Sequence, residues 1–235
     1  MFNLLLSLLF PKRCLGCGKF GQYFCENCLK QISSPPPVCP VCTKPSFGGE
    51  THPRCKTPYS LDGFIAVFKY QKAISSAIRA IKYGKLSDIT LDLTNLLTKS
   101  LKDASYQYFS FINHYLKEKP ALIPIPLHWI RQKTRFFNQS EIIGQKLAKN
   151  LEIPYQNKIL TRTKTSKPQA ELLRKDRLQN VRGIFAINPS IKCQFSNNSY
   201  LLFDDVWTTG ATIREASKIL KRNGAKKVWA LTIAR

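Results

Sequence analysis

Four closely spaced pairs of metal-type ligands near the start of the chain constrain its fold more than any other feature. Seven of the eight cysteines lie between residues 14 and 55, and the two members of each pair are separated by two residues. Structural zinc takes four Cys or His ligands, and a pair at this spacing can occupy one edge of the tetrahedron. Two structural zinc sites are therefore predicted from Cys14, Cys17, Cys25, Cys28, Cys39, Cys42, His52 and Cys55.

The spacing leaves the pairing open. Sequential pairing would put the first four ligands in one site, whereas a cross-braced arrangement would exchange pairs between the sites. A disulfide cluster is the alternative to zinc, but it would need an oxidising compartment. The apolar segment Phe2–Phe10 lacks the basic residues and cleavage site of a signal peptide and is too short to span a membrane. A cytoplasmic location is predicted, with the inner face of the membrane as a further candidate, and this favours zinc.

The charge points to a polyanionic partner. The chain has 37 basic and 14 acidic residues in 235, a formal net charge of +23, and its 43% hydrophobic content is sufficient for a folded core. The excess is spread along the chain rather than confined to a tail, which favours a basic folded surface for nucleic acid or phosphorylated ligands. A general lysine bias that only solvates the surface is the alternative.

Beyond residue 60, apolar runs alternate with amphipathic stretches. This pattern predicts an α/β fold with a mostly parallel sheet flanked by helices, and ligand sites at the carboxyl edge of that sheet. We predict a metal-binding module over residues 1–60 and the α/β domain over residues 61–235. The main predicted strands and helices are Gly63–Tyr70, Ala73–Tyr83, Ala121–Pro126, a helix from about Gln139 to Asn150, and Lys227–Ala234.

The segment Tyr200–Thr212 carries the strongest ligand signal. An apolar run ends in Asp204 and Asp205, and a Thr- and Gly-rich turn then opens an amphipathic helix. A helix N-terminus suits a phosphate because its first N–H groups are unpaired, and the acids one turn away could accept from sugar hydroxyls or approach a metal. A phosphosugar site is predicted from Asp204, Asp205, Thr208, Thr209, Gly210, Ala211 and Thr212.

Two basic segments could complete this site. The loop after Ala121–Pro126 supplies His128, Arg131, Lys133, Arg135, Asn138 and Gln139, a dense set of donors after a strand. The segment Arg162–Arg182 is basic, and Pro168 and Gly183 lie in the flanks of its inner piece Ala170–Asn180, so it could fold over a bound polyanion. In both cases the alternative is a charged loop that is only solvated.

Several of these motifs together resemble a known family. Tyr200–Thr212 is similar to the signature of type I phosphoribosyltransferases. The wider set resembles the ComF family of competence proteins, which combine a double zinc ribbon with a phosphoribosyltransferase-like domain. It consists of the four ligand pairs, I-K-Y-G at Ile81–Gly84, I-P-I-P-L-H, R-x6-N-Q, Q-x7-R-x2-N-V and D-D-V-x-T-T-G-A-T, with Phe136 where the family usually has glycine.

The resemblance implies roles for the site residues. Asp204 and Asp205 would meet the ribose hydroxyls of phosphoribosyl pyrophosphate (PRPP) near magnesium, and Thr208–Thr212 would hold its 5′-phosphate. His128, Arg131 and Arg135 lie in the loop that would face the pyrophosphate, and Arg162–Arg182 would be the closing loop. The implied function is PRPP binding and single-stranded DNA handling in natural transformation, with the DNA-uptake machinery as a further candidate partner. The alternative is an active phosphoribosyltransferase that transfers phosphoribosyl from PRPP to a base or amine.

Overall fold

The structure, a computed structural model, describes residues 11–82, 87–103, 109–127, 137–163, 181–191 and 198–235. Four of its strands form one parallel sheet in the order β1–β6–β5–β2, and two short strands form a separate antiparallel pair, β3–β4. The strands are β1 (Gly63–Phe68), β2 (Ala121–Pro124), β3 (Leu160–Arg162), β4 (Phe185–Ile187), β5 (Ser199–Val206) and β6 (Lys227–Ala234).

The two central strands, β5 and β6, are largely buried. β6 is buried from its second residue to its last, and β5 is buried up to Phe203. Alternate residues of β5 face opposite sides of the sheet, so Leu201 and Phe203 join one apolar core while Tyr200 and Leu202 join the other. Continuous burial of this kind is typical of a parallel sheet covered on both faces.

Helices cover both faces of the sheet. Residues of α2 to α5 pack in one core, and residues of α6 pack in the other. The helices are α1 (Glu26–Leu29), α2 (Lys72–Lys82), α3 (Ser87–Lys102), α4 (Ser110–Lys117), α5 (Gln139–Leu151) and α6 (Ala211–Arg222). The predicted α/β class with a mostly parallel sheet is confirmed, as are all five of the main elements predicted from the sequence.

Two details were less visible in the sequence. Pro124 pairs with Phe203, and it can do so because β2 lies at the edge of the four-stranded sheet, where a missing N–H is tolerated. The β3–β4 pair, three residues per strand, was not predicted because each strand is too short to show a period-two pattern.

The cysteine-rich residues pack directly against the sheet. The Lys69 N–H donates to the Ser33 carbonyl at 2.8 Å, and the Arg235 guanidinium donates to the Pro36 carbonyl at 3.0 Å. The boundary predicted near residue 60 stays a prediction. In the described ranges, no helix combines the length and the apolar character that a membrane span requires.

Candidate functional site

The first four cysteines form one compact cluster. The sulfur atoms of Cys14, Cys17, Cys25 and Cys28 all lie within 4.8 Å of one another. The sulfurs of Cys17 and Cys25 are 3.6 Å apart, close to the value of about 3.7 Å for two thiolates that share a tetrahedral zinc with bonds of about 2.3 Å. Burial disfavours the Cys14 thiolate, but backbone N–H groups, led by that of Cys25, outweigh it and lower the pKa of Cys14 to about 6. The donor set therefore fits zinc.

The remaining pairs form a second cluster. Cys39, Cys42, His52 and Cys55 also place their ligand atoms within 4.8 Å of one another, with 3.4 Å between Cys42 Sγ and His52 Nδ1. The other ring nitrogen of His52 lies 3.0 Å from the Pro45 carbonyl oxygen, the kind of contact that fixes the orientation of a metal-bound histidine. The structure thus brings the pairs together sequentially and not in the cross-braced order.

The acid pair lies where β5 leaves the core. The Asp204 carboxylate accepts from the Ser140 hydroxyl at 3.0 Å and from the Asp205 N–H at 2.9 Å. The Asp205 carboxylate forms an ion pair of 2.6 Å with Lys82. Burial, together with the neighbouring Asp205 charge, raises the pKa of Asp204 to about 7. Two adjacent acids at the end of a central strand are thus partly neutralised by groups from two helices.

Sequence reasoning did not single out Lys82 or Ser140. Lys82 is the last residue of α2, and Ser140 lies in the first turn of α5, so both reach the acids from helices remote in sequence. The signals were present but weak: Lys82 lies within the I-K-Y-G motif, and Ser140 directly follows the Asn-Gln pair. Only the packing of α2 and α5 against β5 reveals the contacts.

The Thr- and Gly-rich turn has a geometry that few other sequences could adopt. Gly210 has a left-handed φ of +71°, and a Cβ there would lie 2.0 Å from the Trp207 ring. The Trp207 ring is itself stacked on Phe64 at a centroid distance of 3.9 Å. Helix α6 begins at Ala211, whose N–H donates to the Thr209 hydroxyl oxygen at 3.4 Å. We call Trp207–Thr212 the phosphate loop.

Asn138 plays a structural part instead of the donor role predicted for it. Its amide donates to the Ile125 carbonyl at 3.1 Å, and its carbonyl oxygen accepts from the Ser140 N–H at 3.1 Å. It is buried and caps α5, which places Ser140 beside the acids. His128, Arg131, Lys133, Arg135 and Phe136 lie outside the described residues, as do residues 164–180 of the basic segment.

A groove of about 430 Å³ separates the second cluster from α6. Its walls include Tyr59 on the cysteine-rich side, Arg182 shortly before β4, and Arg214 and Lys218 on α6. Tyr59 is 44% exposed, and the Arg222 guanidinium lies 5.2 Å from the centre of its ring. The groove thus combines an exposed aromatic ring with several cations.

Known proteins resemble this chain over nearly its whole length. Residues 5–56 match the double zinc ribbon domain family. Competence protein F of Haemophilus influenzae is 33% identical over 96% of this chain and 98% of its own length. DNA utilization protein YhgH of Escherichia coli is 27% identical over 92% of each chain, and competence protein ComFC of Streptococcus pneumoniae is 26% identical over 92% of this chain and 83% of its own.

Solved structures match only loosely. A hypoxanthine phosphoribosyltransferase from Staphylococcus aureus aligns with a TM-score of 0.36 and 12% identity over 61% of this chain and 62% of its own. An adenine phosphoribosyltransferase from Leishmania tarentolae aligns with a TM-score of 0.33 and 17% identity over 66% and 58% of the two chains.

Proposed function

Because this chain belongs to the ComF family of competence proteins, we propose that it binds PRPP with magnesium at the carboxyl edge of its sheet and single-stranded DNA on an adjoining basic surface. In this proposal it serves the handling of incoming DNA during natural transformation. The names of its relatives, which refer to competence and DNA utilization, support that role.

The observation that carries PRPP binding is the placement of the acid pair directly before a helix N-terminus. Asp204 and Asp205 lie just before Val206, the last residue of β5, and α6 begins five residues after Val206, at Ala211. Carboxylates can accept hydrogen bonds from the two ribose hydroxyls, while the first N–H groups of α6 can donate to the 5′-phosphate. One ligand that carries a diol and a phosphate would satisfy both groups.

Magnesium and the pyrophosphate would lie on the open side of the acid pair. Magnesium takes oxygen ligands and keeps several waters, so a carboxylate edge beside a pyrophosphate suits it. His128, Arg131 and Arg135 are proposed to contact the pyrophosphate. Lys82 now neutralises Asp205; when the ribose and magnesium arrive, its ammonium group is proposed to turn to the pyrophosphate.

Calorimetric titration with PRPP and magnesium tests this part. We expect saturable binding by the wild-type protein and its loss in Asp204→Ala and Asp205→Ala. Asp92→Asn, on a partly exposed face of α3, is the matched control and should bind normally. Absence of binding by a folded, zinc-loaded wild-type protein would refute the proposal.

The groove between the second cluster and α6 supports DNA binding. Its exposed Tyr59 ring offers a face on which a base can stack. Arg182 and Lys218 in the groove, and Arg222 beside the Tyr59 ring, are proposed to contact phosphates. The overall charge of +23 adds a long-range attraction for a polyanion. Single strands suit this surface better than duplex because stacking on Tyr59 needs an unpaired base.

Salt-titrated binding of a fluorescent oligonucleotide tests the DNA surface. Affinity should fall steeply with salt, and each phosphate contact removed in Lys218→Met or Arg222→Met should lower the log–log slope by about 0.7 for a single strand. Tyr59→Ala should weaken binding with little change in slope. No binding at low salt, or equal affinity for duplex, would contradict the assignment.

The alternative is an active phosphoribosyltransferase of nucleotide metabolism. It is favoured by the intact D-D-V-x-T-T-G-A-T segment and by the acid pair beside a helix N-terminus. It predicts pyrophosphate release from PRPP with some base or amine, lost in Asp204→Ala and Asp205→Ala. Binding of PRPP without turnover across a panel of bases and amines would count against it.

A further inference from the structure

Arg214 joins the second metal cluster to the phosphate loop. One guanidinium nitrogen donates to the Pro40 carbonyl at 2.9 Å, and another donates to the Thr209 carbonyl at 2.7 Å. Pro40 lies between Cys39 and Cys42 in the cluster, and Thr209 lies in the phosphate loop. A planar guanidinium can hold two acceptors in a fixed relation, whereas a lysine ammonium on its flexible stem cannot.

The charge of the cluster strengthens this link. Zinc with three thiolates and one neutral histidine carries a net charge of −1, and Arg214 lines the same groove as the ligand Cys55. Within the described residues Arg214 has no carboxylate partner. Burial lowers the pKa of Arg214, whereas the Cys39 charge raises it. The anionic cluster is therefore the counter-charge available to a partly buried cation.

The acceptor on the other side is part of the ligand site. Thr209 accepts from Arg214 through its carbonyl and from the Ala211 N–H through its hydroxyl, so its position sets the start of α6. The Arg214 guanidinium also lies 5.9 Å from the centre of the Trp207 ring, against which Gly210 packs. Displacement of the guanidinium would therefore disturb the loop from two directions.

We propose that Arg214 is a positioning residue through which the second zinc cluster holds the phosphate loop in its binding conformation. Loss of zinc there frees the Cys39–Cys42 turn, removes the counter-charge and leaves Thr209 without its donor. Among the described residues, no hydrogen bond or ion pair joins the first cluster to the phosphate loop. The coupling is a property of the ligand-free chain; its consequence for PRPP rests on the proposed function.

Zinc release to a chromogenic chelator from the full, zinc-loaded chain is the first test. Two zinc ions should leave in two phases, and Arg214→Met should speed one phase by about tenfold, the factor expected when a charge-assisted bond is lost, while the other is unchanged. Arg214→Lys should give an intermediate effect. Arg79→Met is the matched control, since Arg79 is an exposed arginine on α2 that bonds, within the described part of the chain, to Ser75 of its own helix. Unchanged release from Arg214→Met would overturn the proposal.

Amide hydrogen exchange measures how loss of the second cluster affects the phosphate loop. In the ligand-free protein, Cys55→Ser should speed exchange at Ala211 and Arg214, whereas Cys17→Ser in the first cluster should not. Cys55→Ser should add little in an Arg214→Met background, because the link is already broken. Equal effects of Cys55→Ser in both backgrounds would show that the cluster acts on the loop by another route.

Measurements of PRPP binding separate this inference from the proposed function. If wild-type protein binds PRPP, then Arg214→Met should weaken binding by about tenfold. PRPP should in turn raise the equilibrium affinity for the second zinc, measured by competition with a chelator, because coupling between binding sites is reciprocal. If wild-type protein binds no PRPP, the ligand assignment fails, but the zinc-release and exchange results still decide the coupling.

Discussion

The cysteine-rich residues and the central sheet are stabilised by different interactions. Apart from Pro35 and Pro40, the structure buries five apolar or cysteine side chains in residues 11–60, and three of those are the metal ligands Cys14, Cys25 and Cys39. The sheet instead has two extensive apolar cores, one on each face. A structural zinc contributes roughly 10–16 kcal/mol to the folding of such a module, whereas the sheet depends on apolar burial. The proposed ligand site includes the phosphate loop, which Arg214 bonds to the cysteine-rich residues, so we expect it to depend on both regions.

Removal of zinc should have the largest effect on the molecule. Chelation is expected to unfold residues 11–60, because Phe24 and Val38 alone cannot offset the entropy of ordering that many residues. Amides of β5 and β6 should remain protected against hydrogen exchange. Simultaneous loss of protection in both regions would show that the sheet does not stay folded without the metal clusters. The two regions would then not be stabilised independently, by zinc and by apolar burial.

Loss of an acid should damage binding and leave the fold intact. Asp205→Ala removes a ligand for a ribose hydroxyl and frees Lys82, so PRPP affinity should fall by about a hundredfold or more, as for loss of a charge-assisted contact in a closed site. The melting temperature should change by only a few degrees because the pair is only partly buried, and the freed Lys82 ammonium, 26% exposed, can still reach water. Calorimetry measures the affinity for PRPP, and thermal melts measure the stability. A large fall in melting temperature would show that Asp205 is needed for the fold as well as for binding.

Gly210→Ala should lower both the stability of the protein and its affinity for PRPP. The new methyl would meet the Trp207 ring, and the left-handed φ of +71° disfavours any residue with a Cβ. A destabilisation of about 1–3 kcal/mol is expected, with weaker PRPP binding. Gly183→Ala is the matched control, because it has a similar φ of +64° but open space around the new methyl. If both variants lose the same stability, backbone strain alone explains the loss and the clash with the Trp207 ring adds nothing.

Local patterns in the sequence were sufficient for the metal clusters and for the sheet. The two-residue spacing within the three Cys–Cys pairs and the His–Cys pair identified all eight residues that the structure gathers into two clusters, since this gap and a tetrahedral metal leave few alternatives. The apolar run before Asp204 identified the central strand, because burial on both faces leaves a continuous signal.

Contacts made across the fold were not predictable in this way. Lys82 is 123 positions from Asp205, and Arg214 is 174 positions from Pro40. As residue types, Lys82 and Arg214 do not stand out in a chain that has 37 lysines and arginines. Their roles follow from the packing of α2 and α6 on the sheet, which no short spacing encodes.

The smallest expected effect concerns Asp204 in the absence of ligand and magnesium. Burial and the Asp205 charge raise the pKa of Asp204 to about 7, so the ionised carboxylate is less favourable in the folded protein than in the unfolded chain. This cost is absent below about pH 4, grows as the pH rises towards 7, and is constant above it. Asp204→Asn keeps an oxygen for Ser140 and should therefore raise the melting temperature by a few degrees at pH 8 and by nothing at pH 4.

Thermal melts of the two proteins across this pH range measure the effect, with Asp92→Asn as the control. A gain of the same size at pH 4 and pH 8 would mean that the carboxylate charge is not its cause. A pH-dependent gain together with lost PRPP binding would show that the sheet edge carries an electrostatic cost that only the ligand relieves. In the cysteine-rich residues the corresponding cost is the repulsion between neighbouring thiolates, which zinc relieves. In both regions, charges that repel one another would then be stabilised by a bound partner.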